Sequence, residues 1–187
     1  MGIPNRILNC IVAAGLAAAV FFSPAGAAEQ DRLDRLHGQL READPGHARR
    51  IAGEIELEWS KSGSPAMNLL LKRGTDALEA GETRAAIEHF TALTDHAPDF
   101  AEGWHRRALA FAGAEMFGPA VADLERALAL SPRHYDAIAA LGGILVEIDR
   151  PDMARQAFER VLALHPHHPE AARVLEHLQG RTGGAEL

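Results

Sequence analysis

Cysteine is almost absent: Cys10 is the single thiol in 187 residues. Beyond that position the chain can hold no disulfide framework, no thiolate metal site and no cysteine nucleophile. Clustered positive charge is missing too. Lys and Arg number 19 against 26 Asp and Glu, a net charge of -7, whereas non-specific nucleic-acid affinity needs basic side chains concentrated against phosphates. Aromatic residues make up only 5% of the chain. With abundant alanine, this disfavours a sheet-based core and predicts an all-α protein whose helices meet through small side chains. No Gly-rich phosphate loop, H-E-x-x-H or G-x-S-x-G occurs, so a non-enzymatic role without cofactor is expected.

Long apolar runs are scarce as well. The one candidate, the uncharged stretch Ile7 to Phe22, is shorter than the roughly 20 residues that span a bilayer as a helix. Arg6 precedes it and the small-residue string Ser23-Pro24-Ala25-Gly26-Ala27-Ala28 follows, the order of a secretory signal peptide over 1–28. Cleavage after Ala27 or Ala28 would leave a mature chain beginning near Glu29, exported and periplasmic. Left uncut, the same segment would tether the chain to the inner membrane, its one expected membrane link. Leu8-Asn9-Cys10 lies ahead of the apolar core rather than at its end, so lipid attachment is not expected.

What the sequence does contain is a repeat. Pro98, Pro132 and Pro166 stand 34 residues apart, and each ends a helix by withholding a backbone donor and excluding helical geometry from the residue before it. Superposing the units 67–100, 101–134 and 135–168 aligns Gly74 with Ala108 and Gly142, Ala86 with Ala120 and Ala154, and Phe90 with Leu124 and Phe158. Small residues facing each other let two helices approach closely, with the larger side chain filling the space beside the crossing. Turns are expected at Gly81-Glu82, Gly118-Pro119 and Asp149-Arg150-Pro151.

This pattern resembles that of the tetratricopeptide-repeat family, W-x2-L-G-x2-Y followed by A-x3-F and P. The third unit carries it most fully, as Ile138, Leu141, Gly142, Leu145, Ala154, Phe158 and Pro166. Arg73 and Arg107 depart from it where the family has Leu, so these positions are expected to be partly open or to let the guanidinium snorkel out. The resemblance implies an all-α solenoid of antiparallel helix pairs that binds a protein or peptide.

Flanking periodicities complete the layout. Leu33, Leu36, Leu40 and Ala43 share one helical face, and Ala48, Ile51, Ala52, Ile55 and Trp59 another, about the Asp44-Pro45-Gly46 turn. They predict a degenerate hairpin over 29–62, either a diverged repeat or an N-terminal cap. Ala171, Val174, Leu175 and Leu178 predict a capping helix over 169–180, with 181–187 as a tail.

In such a stack the first helices line a concave surface. The resemblance places there Leu71, Thr75, Leu78, His105, Leu109, Ala112, Ala139, Gly143 and Val146, with Asn68, Glu102, Arg106 and Asp136 at the rim. Family members that grip a C-terminal carboxylate use a Lys, Asn and Arg set. Leu71, Thr75, Arg106, Asp136 and Ala140 occupy the corresponding places here. Most of that clamp is absent, so an apolar segment is expected in the groove, with His105 and Arg106 setting its orientation. The same apolar residues would serve equally to finish the packing of a tight superhelix.

Two other classes stay open: a self-associating structural subunit, and a metal-binding module built on His165-Pro166-His167-His168-Pro169. Imidazoles suit zinc, copper or nickel, but these prolines prevent an i, i+4 pairing and no thiolate supports it, so no metal site is expected. The carboxylates Glu79, Glu102, Asp123 and Glu147, and the Glu54, Glu56 and Glu58 run, are expected on solvated faces.

Overall fold

The computed structural model describes the backbone of residues 24–183 and the side chains of residues 30–180. The signal reading lies outside that range except for its small-residue end, 24–28, which opens the first helix. The described residues form nine helices and no strand: α1 (Pro24–Glu42), α2 (Pro45–Trp59), α3 (Pro65–Glu79), α4 (Thr83–His96), α5 (Ala101–Gly113), α6 (Phe117–Leu130), α7 (Tyr135–Glu147), α8 (Pro151–Leu164) and α9 (Pro169–Gly183). None of them is long and apolar enough to cross a membrane.

Helices α3 to α8 make three antiparallel pairs. Each second helix also packs on the first helix of the next pair, and α9 covers α8. The turn inside each pair repeats closely. The amides of Glu82, Met116 and Arg150 donate to the carbonyls of Ala77, Phe111 and Leu145 at 2.8, 2.9 and 2.8 Å, the closure that ends a helix through a left-handed residue. That residue is Gly81, Glu115 or Asp149, with φ of 74°, 59° and 55°. The middle turn therefore falls at Ala114–Met116 and not at the expected Gly118-Pro119, which lies in the first turn of α6, where proline is tolerated.

The pair crossings are tighter than small-on-small contact alone. A Cβ on Gly74 would stand 2.4 Å from Phe90 Cε1, and one on Gly142 2.9 Å from the Phe158 ring. The ring thus lies over the glycine itself. The middle unit has Ala108 and the smaller Leu124 at these positions, in one cluster. Arg107 corrects a second expectation. Instead of snorkelling out it turns inward, forking onto Asp123 at 2.7 and 2.8 Å and donating to Thr94 Oγ1 at 2.9 Å. Its guanidinium lies 4.9 Å from the Trp104 ring centre. The buried carboxylate is what makes the inward geometry favourable.

The N-terminal hairpin does not continue the stack. Asp44 caps α2, accepting the Gly46 and His47 amides at 2.9 and 3.1 Å, and α1 pairs with α2. Yet α2 is not packed along α3, and α1 lies against α8. Leu36, Leu40, Ile51, Ile55 and Trp59 share one core with Tyr135, Ile138, Phe158, Val161 and Leu175. Neither a diverged first repeat nor an N-terminal cap describes this. The hairpin turns back at the Ser62–Ser64 break, where Gly63 has φ 73°, and folds across the inter-repeat loops onto the third pair and α9.

Candidate functional site

The hairpin covers a buried polar hub. Glu102, in the first turn of α5 and 4% exposed, accepts from His134 Nε2 at 2.8 Å, His105 Nδ1 at 3.1 Å and Arg106 Nε at 2.5 Å. His134 precedes α7, and its Nδ1 accepts the Ala137 amide at 3.3 Å, which places the ring proton on Nε2. Burial alone would raise the Glu102 pKa. The hydrogen bonds from His105 and His134, with the charge of Arg106 behind them, outweigh that burial and hold the carboxyl well below its usual range. Burial also pushes His134 downward, against the pull of Glu102. The hub is thus a neutral His134 beside a Glu102–Arg106 ion pair.

Glu102, His105 and His134 bring their ligand-type atoms within 4.8 Å of one another. An ion among them would need the Nε2 lone pair of His134, hence its proton on Nδ1, directed at the Ala137 amide. It would also meet the Arg106 guanidinium across Glu102. The residues fit a hydrogen-bonded hub better than a metal centre.

Over the hub, Trp59 stacks on His134 with ring centres 3.8 Å apart and planes at 17°. Tyr135 touches Trp59, His37 and His165, and its hydroxyl donates to the Ala52 carbonyl at 3.5 Å. Arg133 pairs with Asp34, and His167 Nε2 donates to the Ala43 carbonyl at 3.0 Å. The histidines of the 165–169 segment are thereby spent singly. His168 caps α9 by accepting the Ala171 amide at 3.2 Å, His167 holds the hairpin, and His165 is buried against Tyr135. Three carboxylates expected on solvated faces are buried as well: Glu102, Asp123, and Glu58, which is held by Arg32 and Lys61.

A second place stays open. Between the C-terminal halves of α5 and α7 runs a cleft of about 610 Å³, lined by Leu109, Ala112, Ala140, Gly143 and Ile144, with exposed Glu115 and Glu147 beside them. Of the nine groove residues named from sequence, Leu109, Ala112 and Gly143 line it. Leu71 is core beside Phe90, and Leu78 packs on the same cluster. The Thr75 hydroxyl donates back to the Leu71 carbonyl at 2.9 Å. Ala139 and Val146 pack against the core that includes the hairpin. His105 and Arg106, read as orienting groups for a partner, are instead turned into the hub.

Two patterns described as tetratricopeptide repeat match residues 71–117 and 111–178. A TPR repeat-containing protein of Rhizobium etli is 34% identical over 161 residues, covering 86% of this chain and 79% of its own. The chain belongs to the tetratricopeptide-repeat family. In fold it is similar to the second TPR domain of human RPAP3, solved in complex with the HSP70 peptide SGPTIEEVD. That likeness has a TM-score of 0.56, 25% identity, and coverage of 59% of this chain and 92% of that one. MamA, with a TM-score of 0.59 at 20% identity, matches 88% of this chain and 87% of its own.

Within this TPR frame, the hairpin covers the first turns of α5 and α7 and leaves the cleft between their C-terminal halves open. Sequence reasoning missed the hub and its cover. One signal for it was present: His134 and His168 occupy the same repeat position, directly before a first helix, where an acceptor caps.

Proposed function

We propose that this TPR protein is an exported adaptor that holds an apolar segment of a partner polypeptide in the α5–α7 cleft. A binding role fits the family and its peptide-holding structural relatives. The observation that carries it is the open cleft on Leu109, Ala112 and Ile144, edged by Glu115 and Glu147. Apolar walls with a few charged groups at the margin give anchorage and orientation together. Two edge carboxylates select basic residues flanking the apolar anchor and repel acidic tails, in keeping with the missing carboxylate clamp. Export rests on the signal-like order of residues 1–28.

A labelled leucine-rich amphipathic peptide flanked by arginines, and its twin flanked by glutamates, test the site. The arginine form should bind about tenfold tighter at low salt, and Leu109→Glu should abolish binding with helicity intact. Equal affinity of the twins, or binding indifferent to Leu109→Glu, defeats the reading. Export is tested separately, by fractionation and by the mass of the mature N-terminus, expected near Glu29.

A further inference from the structure

Three buried side-chain nitrogens have no hydrogen-bond partner among the described residues, two of them on the hairpin and the third beside Tyr135, on which the hairpin docks. They are His37 Nδ1, Trp59 Nε1 and His165 Nδ1. Native interiors answer nearly all such groups, and exceptions mark places held under tension. The same interface is rich in imidazole. His37, 4% exposed on α1, is set between Trp59 at 5.9 Å and Tyr135 at 6.2 Å. His134 is sandwiched between Trp59 and His105. His165 stands edge-on to Tyr135 at 5.1 Å and to His168 at 5.2 Å.

We infer that the N-terminal hairpin is an acid-released latch: protonation of the imidazoles on which it is docked lifts α1–α2 off the repeats and uncovers the first turns of α5 and α7. The hairpin is suited to leave. It joins the repeats through the Ser62–Ser64 break and is not packed along α3. The clusters around Phe90 and around Leu124 contain no hairpin residue, so the first two repeats keep their cores without it.

The charges facing each imidazole set the direction. His37 meets Arg133, His134 and Arg41, which oppose its protonation, and Asp34, which favours it, though Asp34 is itself engaged by Arg133. His165 meets His168 and His167 against Asp136. His134 has Glu102 and Asp136 in its favour and His105 against, with Glu102 already neutralised by Arg106. Over the hub, Glu56 of α2 faces Asp136, Arg106, Glu102 and His168. Burial dominates at all three. It lowers His134 and takes His37 and His165 from 6.5 to about 4.

A histidine whose pKa is depressed by docking favours the docked state above its free value, and for His37 that preference is lost as the pH falls from 6.5 towards 4. Each proton taken up on release shifts the docking equilibrium by up to about tenfold per pH unit. Loss of docking that frees both His37 and His134 is therefore steeper than a single titration. The latch is independent of what the cleft binds.

The test uses the full chain with Trp104→Phe, which leaves Trp59 as its one tryptophan. From pH 7.5 to 5 the Trp59 emission should shift to the red while far-ultraviolet helicity holds. Hydrogen exchange over the same range should lose protection in α1 and α2 and keep it in α3 to α6. His37→Phe should displace the midpoint downward by about half a pH unit or more. If His37→Phe does not fold, His37→Leu gives a displacement in the same direction. An emission change that coincides with loss of all helicity, or an unmoved midpoint in folded variants, overturns the latch.

Discussion

Inside the repeats every buried charge is answered: Arg107 by Asp123 and Thr94, Glu102 by Arg106 and two imidazoles. On the hairpin, the buried nitrogens His37 Nδ1 and Trp59 Nε1 are not. The repeats also recur, with the same turn closure and left-handed position at 34-residue intervals, and the first two pairs solve their burial without the hairpin. The hairpin solves it by borrowing Tyr135, Ile138 and Leu175 from elements about a hundred residues away. Local, repeated solutions give units that stand with their neighbours alone. A borrowed one gives an element that can come away, because few of its contacts belong to its chain neighbours.

The largest expected effect breaks the borrowed interface. Trp59→Ala removes the ring stacked on His134 and should cost about 3–5 kcal/mol. Urea unfolding followed by hydrogen exchange should show the loss in α1, α2 and the third pair, with α3 to α6 retaining protection. Uniform loss across all helices would mean that the two regions do not differ.

Within the repeats, Asp123→Ala leaves Arg107 without its carboxylate and should cost about 3 kcal/mol. Arg107→Leu combined with Asp123→Leu, which supplies the family's leucine, should recover most of that in thermal melts. A double variant as unstable as the single one would show that packing around Trp104, not the ion pair, is at stake.

The crossings predict a smaller, graded effect. Gly74→Ala drives a methyl to 2.4 Å from a fully buried Phe90 ring and should cost about 1–2 kcal/mol after the helix-propensity gain. Gly142→Ala, at 2.9 Å, should cost less. Reversal of that order in denaturant midpoints would contradict the packing described here.

Smallest is a gain. Glu115 holds a left-handed backbone where the first repeat has Gly81, so Glu115→Gly should stabilise by about 1 kcal/mol, read as a rise in melting temperature.

Much of this architecture was legible because the repeat signals are local. Proline at fixed spacing, glycine under a phenylalanine and apolar stripes at helical period each act within a few turns of the chain. The second turn was misplaced because Gly118-Pro119 is the stronger dipeptide signal, while the period put the left-handed residue on Glu115. Of the site, Leu109, Ala112 and Gly143 were legible as groove positions. Arg107, Glu102 and Glu58 were not, since a charge read singly belongs on a solvated face and only its partner reveals otherwise.

The sequence by itself determined the helices, their pairing in three 34-residue units and the family they form, because backbone propensity, capping and small-residue crossings are decided between near neighbours. Only the tertiary structure decided where the N-terminal hairpin goes. Its apolar stripes require a cover without naming one, and the choice fell to whichever distant surface offered matching shape, rings and imidazoles. That choice covered the first turns of α5 and α7 and left the Leu109–Ile144 cleft open.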